Sequence, residues 1–321
     1  MESAPFQIIV GFDFSLGGWQ ALKSAAQIAR WVGGAITVVT AVPGAVEQEV
    51  LERLQKDSRS KVDDPLMADV EVFQEVENQV SEQITRLQLD DIPVSFDVGR
   101  TNPDKMIHSS GAVIGADLLV VGASGNRRPP EGQRIGIDTE RLLRRSQIAT
   151  LVVREGIPFP PARILCAVDY TPASEAAMRR AIWLAELSGA EIDVLHIIEQ
   201  ADAKADWYKF SFPLKYSELQ ETVARERMGD FMAKFELGSV VANPRLRFGL
   251  PFEEIIEVTK EGFDLLVLGS HGRSAIAEFF IGGTAERVFR QVGCHFLAVR
   301  ADDYGLRGDG PAAIVATRLL K

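Results

Sequence analysis

Only two cysteines, Cys166 and Cys294, occur in 321 residues, too few for a disulfide framework. Both sit in or beside apolar strand-like runs and read as small buried hydrophobes in a reducing compartment. No apolar run approaches the length of a membrane span. The first residues, Met1 to Pro5, lack the basic stretch and apolar core of a secretory leader, so the expected location is the cytoplasm. Positive charge is also scarce. Lys and Arg number 35 against 45 Asp and Glu, a net charge of −10, which argues against a general affinity for nucleic acid or acidic lipid. Catalytic constellations are missing too. There is no Gly-x-x-x-x-Gly-Lys-Ser/Thr loop, and Ser270 and His271 are neighbours without an acidic orienting partner, which rules against a hydrolase triad. His196, inside an apolar strand, reads as a satisfied core histidine. No catalytic residue and no metal ligand is therefore assigned.

What is present is a duplication. Phe6-Gln7-Ile8-Ile9-Val10-Gly11-Phe12-Asp13 matches Ala162-Arg163-Ile164-Leu165-Cys166-Ala167-Val168-Asp169, at an offset of 156. Ala116-Asp117-Leu118-Leu119-Val120-Val121-Gly122 matches Phe263-Asp264-Leu265-Leu266-Val267-Leu268-Gly269, at an offset of 147. The falling offset gives the first repeat a longer middle section. The expected organisation is a domain over residues 1–156, a short proline-rich linker ending at Pro161, a domain over 162–300 and a tail over 301–321.

Within each repeat, short apolar runs alternate with helical patterns. The expected strands of the first are Ile8 to Phe12, Ile36 to Val42, Val94 to Val98, Leu118 to Val121 and Leu151 to Val153. Short runs of mostly apolar residues, rather than clean alternations, suit strands covered on both faces. In the second repeat Thr171 and Pro172 carry the signals of a helix start and Gly189 those of a helix end. Leu66, Val70, Phe73, Val80, Ile84 and Leu87 keep helical spacing and predict a helix with one buried stripe. The fold expected is α/β: two tandem doubly wound domains, Rossmann-like, each a five-stranded parallel sheet with helices on both faces. Ligands of such sheets bind at the C-terminal ends of the strands.

The strand ending at Leu268 is followed by Gly269-Ser270-His271-Gly272, nine residues, then Gly282-Gly283-Thr284 and an amphipathic segment. Glycines let the backbone approach an anion, and unpaired N–H groups at a helix start supply donors and partial positive charge. A strand, a glycine loop, a glycine pair and a helix start together suit a phosphate chain.

This pattern resembles the ATP-binding signature of universal stress proteins, Gly-x-x-Gly, nine residues, Gly-Ser/Thr, and the resemblance covers nearly the whole chain except the tail. There is one departure: Gly283 stands where Ser or Thr is expected, and a hydroxyl arrives one place later at Thr284. The resemblance implies that Ala167 and Ile197 line an adenine pocket and that Asp169 contacts the nucleoside. It implies that Leu268, Gly269, Gly272, Gly282, Gly283 and Thr284 cradle ribose and phosphates. Two roles suit Asp169, ligand contact and capping of the helix that follows it. Magnesium or manganese would accompany the triphosphate. The resemblance also implies that the last strands of the two repeats pair edge to edge about a pseudo-two-fold axis, making the chain its own dimer, with further homodimerisation and an unidentified regulatory protein partner open. The activity expected is regulatory ATP binding in a stress response, with little or no hydrolysis. Adenylating enzymes of the related nucleotide-binding alpha-hydrolase fold carry Ser-Gly-Gly-x-Asp-Ser or His-x-Gly-His near the first strand; Asp169-Tyr170-Thr171-Pro172 and Asp13-Phe14-Ser15-Leu16 match neither.

The first repeat keeps Asp13 and Gly122-Ala123-Ser124-Gly125 and then departs. Gly136 falls on Gly282, Ile137 on Gly283 and Asp138 on Thr284. A carboxylate at this helix start would repel triphosphate and could cap the helix in place of an anion. This half is expected not to bind ATP. The arginines of the following loop and helix, Arg127 to Arg145, read as a solvated face or as an anion contact. The competing reading for the whole chain is a nucleotide-free interaction scaffold with both sites vestigial.

Overall fold

The computed structural model describes residues 5–41, 74–78, 81–82, 85, 89, 91–99, 103–125, 135–199, 213–270 and 283–301. All six residues of the expected buried stripe, Leu66, Val70, Phe73, Val80, Ile84 and Leu87, lie outside these, although 74–78, 81–82 and 85 are helical. The arginine-bearing loop at 126–134 and the tail from 302 lie outside them as well.

The first domain contributes strands β1 (Gln7–Gly11), β2 (Ala35–Ala41), β3 (Val94–Gly99), β4 (Leu118–Gly122) and β5 (Thr150–Val153). Its longer helices among the described residues are α1 (Leu16–Val32), α2 (Pro103–Ile114) and α3 (Ile137–Arg145). The second contributes β6 (Arg163–Ala167), β7 (Glu191–Ile198), β8 (Ala242–Phe248), β9 (Leu265–Gly269) and β10 (His295–Val299). Its helices are α4 (Pro172–Ser188), α5 (Pro213–Met232), α6 (Pro251–Thr259) and α7 (Gly283–Gln291). The apolar strand runs fall where the sequence puts them, within a residue or two at each end. Thr171 caps α4 with Pro172 at its first position, and Gly189 ends it in the left-handed region at φ 76°.

All ten strands form one sheet in the order β3-β2-β1-β4-β5-β10-β9-β6-β7-β8. Each half is parallel, and the halves join through antiparallel pairing of β5 with β10, Leu151 facing Leu297. Those two leucines are equivalent in the duplication, so the pseudo-two-fold axis passes between them. The edge-to-edge pairing implied by the resemblance is thus present, and it removes two strand edges from solvent. Two core clusters lie on opposite faces of the sheet. Successive strand residues point to opposite sides, so Ile8 and Val10 join the cluster under α1, α4 and α5, while Ile9 joins the one under α2, α3, α6 and α7.

Polar groups tie the halves together at the axis. Glu140 and Arg144 of α3 meet Glu286 and Arg290 of α7 in a four-membered ion network with N···O distances of 2.5 to 3.0 Å. Burial alone would raise the Glu140 carboxyl, but the bonds from Arg290 and Arg144 more than reverse this and hold it below the ordinary range. Arg154, at the end of β5, is buried and donates from Nε to the Cys294 carbonyl (2.9 Å) and from Nη2 to the Phe289 carbonyl (3.3 Å). Arg180 of α4 is buried as well and donates to the Asp117 carbonyl in the other domain (3.0 Å).

His295 fastens the linker. Its Nδ1 accepts from the Arg154 N–H (3.0 Å), so the proton sits on Nε2, which donates to the Pro158 carbonyl (3.1 Å). Full burial pushes this imidazole down from 6.5 to about 4. Below pH 6.5 the unfolded chain takes up a proton that the native state refuses, so stability falls with pH until the folded value near 4 is passed. The integrated loss is about 3 kcal/mol. The stability difference between the native protein and His295→Gln, from urea denaturation, should shrink by about that amount between pH 7 and pH 4. A difference that stays constant across that range would mean that His295 is not held neutral.

Candidate functional site

The first strand of each domain ends in an aspartate that organises the next helix. Asp169 Oδ1 accepts from the Thr171 N–H (3.2 Å), the Thr171 hydroxyl (2.6 Å) and the Ser174 hydroxyl (2.9 Å). Asp13 Oδ1 accepts from the N–H and hydroxyl of Ser15, which in turn caps α1. Between aspartate and cap stands an aromatic residue in the left-handed region, Phe14 at φ 59° and Tyr170 at φ 63°. A side chain with a Cβ loses about 1–2 kcal/mol there, and such residues concentrate where function fixes the backbone. Tyr170 recovers part of that through ring contacts with His196 (4.3 Å between centroids) and Phe231 (5.4 Å).

At the C-terminal ends of β6, β7 and β9 a cavity of about 620 Å³ opens. Seven of the nine residues designated by sequence line it: Ala167, Asp169, Ile197, Leu268, Gly269, Gly283 and Thr284. The other two, Gly272 and Gly282, lie outside the described residues, as does His271. Ala167, Ile197 and Leu268 give one side an apolar surface. The first residues of α7, Gly283 to Ala285, bring a helix start to another side, where N–H groups lack intrahelical acceptors. At Gly269 a Cβ would lie 2.8 Å from the Ala173 carbonyl carbon, so only glycine lets β9 end so close to α4.

Of the two roles left open for Asp169 by its sequence, the structure shows the capping of the helix start, and it places the same residue on the cavity wall. His196 is satisfied as expected, through Nδ1 to the Val168 carbonyl (2.9 Å), but it is only half-buried and stands on the cavity wall rather than in the core. Sequence reasoning also missed the wall from α5, which supplies Leu219, Gln220, Val223, Ala224 and Arg227. Among the described residues, no group of three His, Cys, Asp or Glu side chains is placed to hold a metal ion. Nor is any helix there long and apolar enough to cross a membrane. Cys166 and Cys294 are free and buried, and burial pushes both thiols up to about 12, which leaves them inert as nucleophiles.

In the first domain the loop from Gly122 to Gly125 rests directly on the Asp13 carboxylate, an approach possible only because Gly125 has no side chain. Ile137 stands half-exposed at the start of α3. The Asp138 carboxylate does not take the capping role expected of it. Its side chain is 62% exposed and lies 3.7 Å from the Arg141 guanidinium, one turn along the same helix. The N-cap position belongs to Gly136, so Asp138 is already inside the helix, beyond the place from which a side chain caps the first N–H groups.

A family model described as the universal stress protein family matches the chain twice, over residues 6–154 and 161–300. Curated relatives match about one domain. A universal stress protein of Methanocaldococcus jannaschii is 24% identical over 153 residues, 43% of this chain and 94% of its own. Universal stress protein A homolog 1 of Coxiella burnetii is 30% identical over 141 residues, 42% of this chain and 94% of its own. Solved structures match both domains together. A universal stress protein from Archaeoglobus fulgidus superposes with a TM-score of 0.60 at 16% identity, covering 92% of this chain and 98% of that one. A protein of unknown function from Pseudomonas aeruginosa superposes with a TM-score of 0.66 at 16% identity, covering 99% and 98%. At such identity the likeness speaks to the fold alone.

Proposed function

The chain belongs to the universal stress protein family, with two of its domains in tandem, and from that premise we propose that its second domain binds ATP as a regulatory ligand while its first stays empty. The observation that carries this reading is the open second-domain cavity, of a size suited to a small organic ligand and lined by seven of the nine residues that the resemblance designates. Apolar contact from Ala167, Ile197 and Leu268 suits the base. The Asp169 carboxylate suits ribose hydroxyls. The backbone N–H groups of Gly283 and Thr284 suit the phosphates. Magnesium or manganese would arrive with the triphosphate, coordinated mainly by phosphate and water. The chain acts as a binding protein: turnover near a typical enzyme rate, about 10 per second, would overturn that part of the reading.

Calorimetry with ATP and magnesium, on protein first stripped of nucleotide, should give one site per chain. Asp169→Asn keeps an acceptor for Thr171 and so keeps the helix start, but it replaces a charged acceptor with a neutral one. Its ATP affinity should fall about tenfold, while Asp13→Asn leaves affinity unchanged. No binding by the stripped protein, or two equivalent sites, would refute the reading.

A further inference from the structure

Helix α5 is fixed over the second-domain cavity by one stripe and faces it with another. Ala224, Met228 and Phe231 are buried, at helical spacing, against the sheet. The Tyr170 hydroxyl donates to the Ala224 carbonyl (3.5 Å), and Lys234, just past the helix end, pairs with Glu175 of α4 (2.7 Å). The neighbouring stripe, Leu219, Gln220, Val223 and Arg227, lines the cavity. Two features of that stripe call for a ligand. Leu219 and Val223 are aliphatic side chains left 61% and 40% exposed beside an apolar cavity. Arg227 is the one cation among the described lining residues, which also include the carboxylates of Asp169 and Glu199. Its helix neighbour Arg225 is held by Glu221 at 2.5 Å, whereas no carboxylate among the described residues holds Arg227.

We infer that α5 is the recognition helix of this site: Leu219 and Val223 cover the base of a bound nucleotide, and Arg227 pairs with its phosphates. The inference rests on the nucleotide reading above and adds to it a specificity. Among the described lining residues a phosphate chain entering this cavity meets two carboxylates, and the N–H groups at the start of α7 carry only about half a positive charge between them. A guanidinium offsets the repulsion and forks to two phosphate oxygens. A nucleoside needs no such cation. The aliphatic pair acts on the base and so acts alike on nucleoside and nucleotide. Discrimination by phosphate is therefore assigned to Arg227, and discrimination against small polar ligands to Leu219 and Val223.

The test measures dissociation constants for ATP and for adenosine on the stripped full-length protein, on Arg227→Gln and on the double variant Leu219→Ser with Val223→Ser. Thermal unfolding of each serves as a folding control; all three positions are exposed, so the melting temperature should not move. Arg227→Gln should weaken ATP roughly ten- to hundredfold and adenosine less than twofold. The double variant should weaken both ligands about equally, by roughly tenfold. If the native protein binds ATP and Arg227→Gln binds it as well, the inference fails and the nucleotide reading stands. Equal loss of ATP and adenosine in Arg227→Gln would reduce Arg227 to a structural part and overturn its assigned role. Unchanged affinities in the double variant would overturn the apolar wall. A native protein that binds neither ligand overturns both the nucleotide reading and the inference.

Discussion

Arg154→Ala should destabilise the protein by about 4 kcal/mol, while Arg300→Ala, its equivalent in the duplication, should cost under about 1 kcal/mol. The asymmetry comes from what each guanidinium does. Arg154 is 8% exposed and bonds the Cys294 and Phe289 carbonyls of the other domain. Its removal leaves two buried acceptors without a donor, each a loss of about 1–3 kcal/mol, and opens a cavity at the axis. Arg300 is only half-buried, so water reaches its guanidinium, and one of its contacts, to the Ser146 carbonyl, is long at 3.5 Å. Solvent can replace it there. Arg154→Lys keeps the charge but cannot reach both carbonyls from one planar group, so it should recover less than half of the loss. Urea denaturation of the three variants decides the matter. Equal losses at 154 and 300 would show that the clasp is not where the domains are joined.

The sequence carried the fold at every point where a backbone preference or a periodicity speaks for itself. The repeat offsets placed the two halves, the apolar runs placed the strands, and Thr171, Pro172 and Gly189 placed the ends of α4. The interdomain clasp was not legible. Arg154, Arg180 and His295 are buried because distant carbonyls and a distant N–H satisfy them, and no local pattern records a partner more than 60 residues away. Phe14 and Tyr170 were equally silent, since nothing in a bulky aromatic side chain announces a left-handed backbone. The site was legible where the chain approaches the ligand through glycine and strand ends. It was not legible where α5 closes over it, because Leu219 and Val223 are scattered among charged residues, and only the packing of Ala224, Met228 and Phe231 turns them toward the cavity. His196 was read correctly as hydrogen-bonded. Its place on the wall depends on the register of β7 against β6, in which Ala167 faces Leu195, just beyond the reach of a sequence pattern.

Gly283→Glu should abolish ATP binding, lowering affinity at least about a hundredfold, and Gly283→Ser should raise it about fivefold. The position permits such opposite outcomes because it is sterically neutral. Among the described residues a Cβ there meets nothing within 4 Å, and Gly283 is not among the glycines in the left-handed region. Substitution therefore changes the chemistry of the helix start and little else. An acidic side chain in the first turn is favourable to a helix on its own, by some tenths of a kcal/mol, so Gly283→Glu should fold as well as the native protein. What it costs is phosphate, since its carboxylate occupies the same positive end and repels a triphosphate. Serine restores the hydroxyl that the signature carries after its last glycine and adds one donor to a charged oxygen. Both variants are read by calorimetry beside a thermal melt. A gain with serine and a loss with glutamate locate the phosphates at the start of α7 and make Gly283 a missing donor. A loss with both would mean that a phosphate oxygen packs against the bare Cα, so that glycine is kept for close approach and Thr284 already supplies the hydroxyl. Equal affinity in all three proteins would move the phosphates away from α7 and end the case for this helix as their cradle.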